Sequence, residues 1–205
     1  ELLSVLGPSG CGKTTLLNMV AGFITPSSGQ IAVGDRVIDG PGADRGMVFQ
    51  QGALFEWLTV AKNVDFGLRM QGVSEAESRD QVEKWLATVG LQGFADTPTY
   101  QLSGGMQQRV ALARCLVNDP DVILMDEPAS GLINAEIDEL DLIIRRLVDE
   151  YAIGVIMIEH RLELLSAVAD RVVVLDLGEV IAKGAPEVVF KDPKVHAAYF
   201  EDINA

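Results

Sequence analysis

Apolar residues in this chain fall into short continuous runs and into longer segments with helical periodicity, separated by turn residues. Continuous apolar runs of about five residues predict buried strands, because a strand inside a parallel sheet is covered on both faces. Such runs occupy residues 2–6, 122–125 and 154–158. Shorter or alternating runs predict strands at 30–34 and 46–50, and a hairpin formed by 171–175 and 179–182. Strands that alternate with helical segments indicate an α/β fold.

The predicted helices cluster in the middle of the chain. Helices are expected at 16–21, 136–150 and 187–200, the last interrupted by Pro193, and residues 54–116 are largely helical in pattern. Within that stretch Ser74 and Glu77 form a capping box, and Gly90 is a plausible stop for the same helix. We therefore predict a helical subdomain at 54–116, inserted between two parts of an α/β core at 1–53 and 117–205.

Charge and cysteine content limit the possible partners. The formal net charge of −14 over 205 residues argues against nucleic acid and against anionic lipid, which both select basic surfaces. No uninterrupted apolar run approaches the roughly 18 residues of a membrane-spanning helix, and no signal-peptide pattern is visible. Cys11 and Cys115 are far apart in sequence, which predicts a reduced, cytosolic protein without a disulfide framework.

The first site motif lies between a predicted strand and a predicted helix. Residues 7–15 read GPSGCGKTT and match the phosphate-binding pattern G-x-x-x-x-G-K-[ST]. Glycines let backbone N–H groups turn inward, and the helix start adds a positive dipole end, so the loop favours a polyphosphate. The predicted ATP-binding residues are Gly7, Pro8, Ser9, Gly10, Cys11, Gly12, Lys13, Thr14 and Thr15.

Individual roles within this loop follow from its chemistry. Lys13 would reach the β- and γ-phosphates, Thr14 would ligate Mg²⁺, and Thr15 would meet the α-phosphate. A glycine-rich turn without a ligand is the plain alternative. A nucleophilic Cys11 is disfavoured, because no nearby histidine could activate it and the position needs only a small side chain.

A second helix start and two strand ends carry further chemistry. Residues 102–109 read LSGGMQQR, where Ser103 suits an N-cap and Gly104 and Gly105 permit close approach of a phosphate. An ordinary capped helix does not explain two glycines in its first turn, since each costs about 1 kcal/mol of helix propensity. Carboxylates also follow the strand at 122–125, at an edge where open α/β sheets bind ligands.

In these motifs and their order, the chain resembles the ATP-binding subunit of an ABC transporter over essentially its whole length. The resemblance implies a P-loop NTPase (RecA-like) core with an inserted helical subdomain, and ATP and Mg²⁺ as cofactors. It implies that Asp126 supports Mg²⁺, that Glu127 is the general base for the attacking water, and that His160 contacts the γ-phosphate. Gln50 would touch both Mg²⁺ and the water, and its neighbour Gln51 has a lesser claim.

The resemblance also implies partners. Ser103, Gly104 and Gly105 would bind the nucleotide held by a second ATPase subunit, so that two subunits pack head to tail. Separate transmembrane permease subunits would receive the motion, and a groove after Gln50 would take their coupling helix. Phe55, Trp57 and Leu58 are expected either in the core or along that groove. Plain alternatives are a helix-capping role for the Asp126–Glu127 pair and a structural role for His160.

Three departures from the family pattern are visible. The family places an adenine-stacking aromatic residue well before the phosphate loop, so we expect that residue and the leading strands to be missing from this sequence, which opens at Glu1. Ile133 stands where an aspartate is usual, so polar contacts between the two subunits are in question. Met106 replaces a commoner glutamine and is a familiar variant.

The leading hypothesis is an ATPase that energises an importer of a small polar solute, peripheral on the inner, cytoplasmic face of the membrane and served by a solute-binding protein. A nucleotide-gated dimerisation module without hydrolysis is the alternative that Ile133 keeps open. Relatives in translation or DNA repair are disfavoured by the negative charge and by the lack of a second cassette, coiled coil or zinc cysteines. Residues 47–64 resemble importers of nitrate, sulfonates or taurine, whereas residues 158–199 resemble importers of branched-chain amino acids, so the solute stays open.

Overall fold

A six-stranded, mostly parallel sheet forms the centre of the molecule. The computed structural model describes residues 1–50, 53–161, 165, 166 and 168–199. Its strands are β1 (Leu2–Leu6), β4 (Arg45–Val48), β5 (Val122–Asp126), β6 (Gly154–Ile158), β7 (Arg171–Asp176) and β8 (Glu179–Gly184). They lie in the order β4-β5-β6-β1-β7-β8. Only β8 is antiparallel to its neighbour, which confirms the predicted α/β class and the predicted hairpin.

Each of the three central strands is buried on both faces. Ile123 and Met125 of β5 belong to a core on one face of the sheet, while Leu124 belongs to a core on the other. The helices α1 (Lys13–Ala21) and α5 (Asn134–Tyr151) cover opposite faces, since α1 contributes to the second core and α5 to the first. This double cover explains why these strands are continuous apolar runs in the sequence.

Two of the predicted strands differ from the structure. The strand expected at 30–34 is reduced to β2 (Ala32–Val33), which pairs with β3 (Arg36–Val37) in a separate antiparallel ribbon. This ribbon is largely exposed, so no buried face reinforces its alternating pattern. The strand expected at 46–50 is β4, which ends at Val48 and leaves Gln50 beyond the sheet.

Three α-helices lie between β4 and β5, as the sequence predicts. They are α2 (Val60–Met70), α3 (Glu75–Thr88) and α4 (Gly104–Leu116), with a short 3₁₀ helix at Thr99–Gln101. The capping box at the start of α3 is formed: Ser74 Oγ accepts from Glu77 N at 3.4 Å, and Glu77 Oε2 accepts from Ser74 N at 3.0 Å. The helices pack on one another and α4 also contacts β4. The exact limits of a subdomain at 54–116 stay a prediction.

The C-terminal helical segment is broken where Pro193 predicts it. The structure has α6 (Pro186–Val189) and α7 (Pro193–Tyr199), so Pro193 begins the second helix rather than bending a single one. Phe200, the last residue of the predicted helix, lies outside the described residues. In the part of the chain that the structure describes, no helix is both long and apolar enough to cross a bilayer.

Candidate nucleotide-binding site

The parallel register places the ends of four strands side by side. Val48 of β4 is paired with Met125 of β5, Asp126 is paired with Ile158 of β6, and Ile158 is paired with Val5 of β1. Residues that follow each strand therefore emerge at one edge of the sheet. This is the crevice in which open α/β sheets bind ligands.

The loop at residues 7–12 joins β1 to α1 and is shaped by its glycines. A Cβ on Gly7 would stand 2.5 Å from Cys11 Sγ and closer still to the carbonyl oxygen of Leu175. Gly10 has a φ of +80° and faces open space. The loop thus needs glycine for close packing at its start and for left-handed backbone at its centre.

Lys13 points back into this loop. Its Nζ donates to the carbonyl oxygens of Gly7 at 2.8 Å and Pro8 at 2.9 Å, and the residue is only 8% exposed. The ammonium group is therefore held at the mouth of the loop. Thr14 and Thr15, in the first turn of α1, are exposed.

Cys11 is buried in the core beneath α1 rather than exposed in the loop. His160 lines the cavity at the loop, but Cys11 is not among the residues that line that cavity. The thiol is 3% exposed and packs with apolar residues. Cys11 therefore acts here as a small side chain that packs in the core. Both cysteines are free, as predicted, and burial raises the pKa of the Cys115 thiol to about 11.

Asp126 ends β5 and faces the start of α1. Its carboxylate accepts a hydrogen bond from the Thr14 side chain. Burial, and next the neighbouring charge of Glu127, raise the pKa of Asp126, while Thr14 and Lys13 oppose that rise. A hydroxyl and a carboxylate beside a polyphosphate loop are the hard oxygen donors that Mg²⁺ selects, and this ion usually completes its shell with phosphate oxygens and water. The residues present therefore fit Mg²⁺.

Glu127 lies at the centre of the predicted catalytic group. Its Oε2 accepts from Gln50 Nε2 at 3.1 Å, and its Oε1 is 2.8 Å from His160 Nε2. Its backbone is left-handed, with φ +47°, and its N–H donates to Ile158 O. Non-glycine residues held in this conformation concentrate at functional sites. The structure thus brings Gln50, Glu127 and His160 together, as the sequence predicts.

Two of these three groups, Glu127 and His160, line a cavity of about 230 Å³. It is lined by Ser9, Gly10, Gly12, Lys13, Thr14, Thr15, Glu127 and His160. The residues of the loop around Lys13 therefore share one cavity with a carboxylate and an imidazole, and Gln50 reaches that carboxylate from outside the lining. Gln51, the neighbour with a lesser claim, lies outside the described residues.

The glycine pair of the second motif is not part of this cavity. Ser103 is the N-cap of α4, and its Oγ accepts from Met106 N at 3.3 Å. The same hydroxyl donates to Glu136 Oε1 at 2.6 Å. Gly104 and Gly105 begin the helix, and neither lines the cavity. One chain therefore has two separate glycine-rich helix starts. The start of α1 lines the cavity, whereas at the start of α4 the Gly105 N–H is bonded to the Glu136 carboxylate.

The sequence did not predict the contacts of two residues that position Gln50. Gln108, 4% exposed, donates through Nε2 to the carbonyl oxygens of Phe49 at 3.2 Å and Gln50 at 2.6 Å. Ser130 Oγ accepts from Gln50 Nε2 at 3.0 Å. Gln108 belongs to α4, the helix that begins at the signature motif of residues 102–109, so this helix holds the backbone next to the predicted catalytic group. The polar Gln-Gln pair after Met106 was the available signal, although sequence alone does not tell which glutamine turns inward.

Glu159 follows β6 directly before His160 and interacts electrostatically with a second carboxylate, Asp141. Glu159 is 4% exposed, and its Oε1 accepts from His160 N at 3.1 Å. Burial raises the pKa of Glu159. Burial, followed by the charges of Asp138 and Glu159, also raises the pKa of Asp141 to about 7.

A groove of about 400 Å³ lies between β4 and the helices α2 and α4, and Phe49, the residue before Gln50, lines it. Phe49, Phe55 and Phe66 line it together with Arg114, whose Nη1 donates to Ala53 O at 2.9 Å. Of the three residues predicted for core or groove, Phe55 lines the groove. Leu58 is half-buried elsewhere, and Trp57 is 80% exposed and stacks beside Phe55.

Comparison with known proteins identifies the family. The family model described as ABC transporter matches residues 1–130. The taurine import ATP-binding protein TauB of Pelagibacter ubique is 59% identical over 175 residues, covering 85% of this chain and 66% of its own length. The chain therefore belongs to the ABC transporter ATP-binding family. It matches just under two thirds of the length of this relative.

Solved structures agree with the fold. CbiO1 of Clostridium perfringens, part of the ABC transporter complex cbiONQ, superposes with a TM-score of 0.86 at 32% identity, covering 98% of this chain and 85% of that one. The ATP-binding cassette MJ0796, in a dimeric post-hydrolysis state bound to ADP and Pi, superposes with a TM-score of 0.79 at 31% identity, covering 91% and 85%. The predicted P-loop NTPase fold is confirmed.

Proposed function

We propose that this chain binds Mg-ATP at the loop around Lys13 and hydrolyses it as the ATPase subunit of an importer. The observation that carries the proposal is that Glu127 and His160 line the same cavity as Lys13 and Thr14, while Gln50 bonds to Glu127. Donors for a triphosphate and an acceptor for a water molecule therefore share one cavity. Hydrolysis of a phosphoanhydride needs both.

Lys13 and the loop N–H groups would hold the phosphates. In this structure the Lys13 ammonium is bonded to two loop carbonyls, and a γ-phosphate beside it would gain a charge-assisted partner. Mg²⁺ would be held by Thr14 and Asp126, with Gln50 beside them, and would offset charge on the transferred phosphoryl group. The Nε2 of Gln50 is already bonded to Glu127 and Ser130, so its amide oxygen is the atom left for such a contact.

Glu127 would orient and deprotonate the attacking water. Both of its carboxylate oxygens have polar neighbours, which fixes the plane of the group. A carboxylate within hydrogen-bond reach of the water is suited to general-base catalysis. His160, on the opposite oxygen, would bond to the γ-phosphate and keep Glu127 aligned.

Ser103, Gly104 and Gly105 would act on the nucleotide of a second copy. They lie outside the cavity of their own chain, which supports a role in trans, and the relative MJ0796 is dimeric in its ADP-bound state. A head-to-tail pair would place each α4 N-terminus against the partner's triphosphate. Two such sites would make closure depend on ATP.

Transmembrane permease subunits would dock at the aromatic groove beside Gln50. The groove is lined by Phe49, Phe55 and Phe66, and Gln108 donates to the carbonyl oxygens of both Phe49 and its neighbour Gln50. The similarity to TauB favours taurine or a related sulfonate as the solute over a branched-chain amino acid. A solute-binding protein, and a place on the cytoplasmic face of the membrane, are part of the same proposal.

Glu127→Gln tests the enzymatic hypothesis. The substitution removes the base and retains the side-chain volume, so phosphate release by the full-length protein should fall about 10²–10⁴-fold with ATP affinity little changed. Glu139→Gln is the matched control, because Glu139 is an exposed glutamate of α5 that pairs with Arg109. Turnover of Glu127→Gln at the parent rate would exclude Glu127 as the base. A parent protein that dimerises with ATP but releases no phosphate would instead support the dimerisation-module alternative.

A further inference from the structure

Glu136 lies at the start of α5 and contacts the start of α4. Its Oε1 accepts from the Ser103 hydroxyl at 2.6 Å and from the Gly105 N–H at 3.3 Å. Its Oε2 accepts from the Ile133 N–H at 3.3 Å. One carboxylate therefore joins the N-termini of two helices, and the hydrogen bond from Ser103 lowers the pKa of Glu136, which keeps the group anionic at neutral pH.

Glu136 also contributes to the cap of its own helix, α5. Ile133 is the N-cap of α5 and has no side-chain acceptor for the N–H groups of the first turn. Glu136, at the third position of the helix, satisfies the N–H of Ile133 itself, which is half of a capping box. The apolar residue noted as a departure from the family is thus accompanied by an acidic residue three positions later.

Gly105 allows the carboxylate to approach. A Cβ on Gly105 would lie 2.7–2.9 Å from three side-chain carbons of Glu136. Any other residue at this position would push the Glu136 side chain away. In this chain the glycine of the signature therefore accommodates an internal anion at the helix start.

We propose that Glu136 occupies the Ser103 and Gly105 donors in the single chain and must withdraw before a partner's triphosphate can bind them. This inference rests on the proposed role of the signature in trans. Two anions cannot share the same two donors, because their charges repel at such short range. Closure of the dimer then requires a conformation in which the carboxylate has turned away. The apparent affinity of the signature for the partner's triphosphate is the intrinsic affinity multiplied by the populated fraction of this conformation.

Removal of the carboxylate should therefore ease ATP-dependent dimerisation. In a Glu127→Gln background, which limits hydrolysis, Glu136→Ala should lower the Mg-ATP concentration for half-maximal dimer formation by about tenfold, a coupling of ordinary size. Glu136→Gln retains an acceptor oxygen, so it should lower the same Mg-ATP concentration by a smaller factor. Glu150→Gln, near the other end of the same helix and paired with Arg146, should leave this Mg-ATP concentration unchanged.

The measurement uses the full-length protein with light scattering for dimers and a fluorescent ATP analogue for the affinity of the monomer. Unchanged monomer affinity with easier dimerisation supports the inference. The inference is overturned if Glu136→Ala or Glu136→Gln needs the same Mg-ATP concentration as the parent, or a higher one, for half-maximal dimer formation. That result leaves the proposed function intact. Absence of nucleotide binding, or of dimers in every variant including the parent, overturns the proposed function together with the inference. Thermal unfolding of Glu136→Gln monitors folding if the loss of the cap makes Glu136→Ala unstable.

Discussion

Gly7→Ala should damage the protein through one backbone contact. The new Cβ would meet the carbonyl oxygen of Leu175 and Cys11 Sγ, the latter at 2.5 Å, whereas real Cβ contacts stay beyond about 3.0 Å. Leu175 belongs to β7, which is paired with β1 on one side and β8 on the other. Because the carbonyl is fixed in the sheet, the phosphate loop has to move instead.

The size of the effect follows from comparison with Gly10→Ala. At Gly10 a Cβ would meet nothing within 4 Å, so the cost is the left-handed backbone alone, about 1–2 kcal/mol. Gly7 has a φ of +151°, so alanine is strained there too, and the overlap adds about 1–3 kcal/mol of overpacking. The sum of about 2–5 kcal/mol corresponds to a fall in Tm of roughly 4–20 °C for a domain of this size.

Urea unfolding and ATP titration of both variants separate the two causes. Gly7→Ala should lose both stability and ATP affinity, whereas Gly10→Ala should lose mainly affinity, because its methyl group enters the cavity of the loop. Cys11→Ala in the Gly7→Ala background removes the overlap with Sγ but not that with Leu175, so it should restore stability only in part. Equal stability of Gly7→Ala and Gly10→Ala, or full rescue by Cys11→Ala, would refute the assignment of the cost to the Leu175 carbonyl.

Two further predictions concern stability. Because the pKa of Asp141 is raised to about 7 in the folded chain, the folded state binds this proton more tightly than the unfolded state, and stability falls as pH rises from about 4 through 7. Asp141→Asn should therefore raise Tm more at pH 8.5 than at pH 5.5, and an equal gain at both pH values would contradict the titration. Ser74→Ala removes the Ser74 acceptor at the start of α3 and should cost about 1 kcal/mol in urea unfolding. Thr88→Ala at the other end of α3 serves as the comparison, and an equal loss there would exclude a cap-specific effect.

Sequence patterns were sufficient to locate those strands and helices whose positions depend on neighbouring residues in the chain. Continuous apolar runs located β1, β5 and β6, because strands buried on both faces carry apolar residues at every position. Ser74 with Glu77 located the start of α3, because a capping box is formed by residues three apart. The short exposed ribbon of β2 and β3 was located poorly, since tertiary packing does not fix its register.

The position of the loop around Lys13 between β1 and α1 was also determined by the sequence alone, because its glycines and lysine form a local backbone structure within the nine residues of the motif. The contacts of Glu127 with Gln50 and His160 were decided by the tertiary structure. They depend on the parallel register that aligns Val48, Met125 and Ile158, together with their neighbours, and register is a relation between strands far apart in the chain. The position of Glu136 against Ser103 has the same origin: these residues are 33 apart in the chain, and the helix starts that carry them meet only when α4 and α5 pack together.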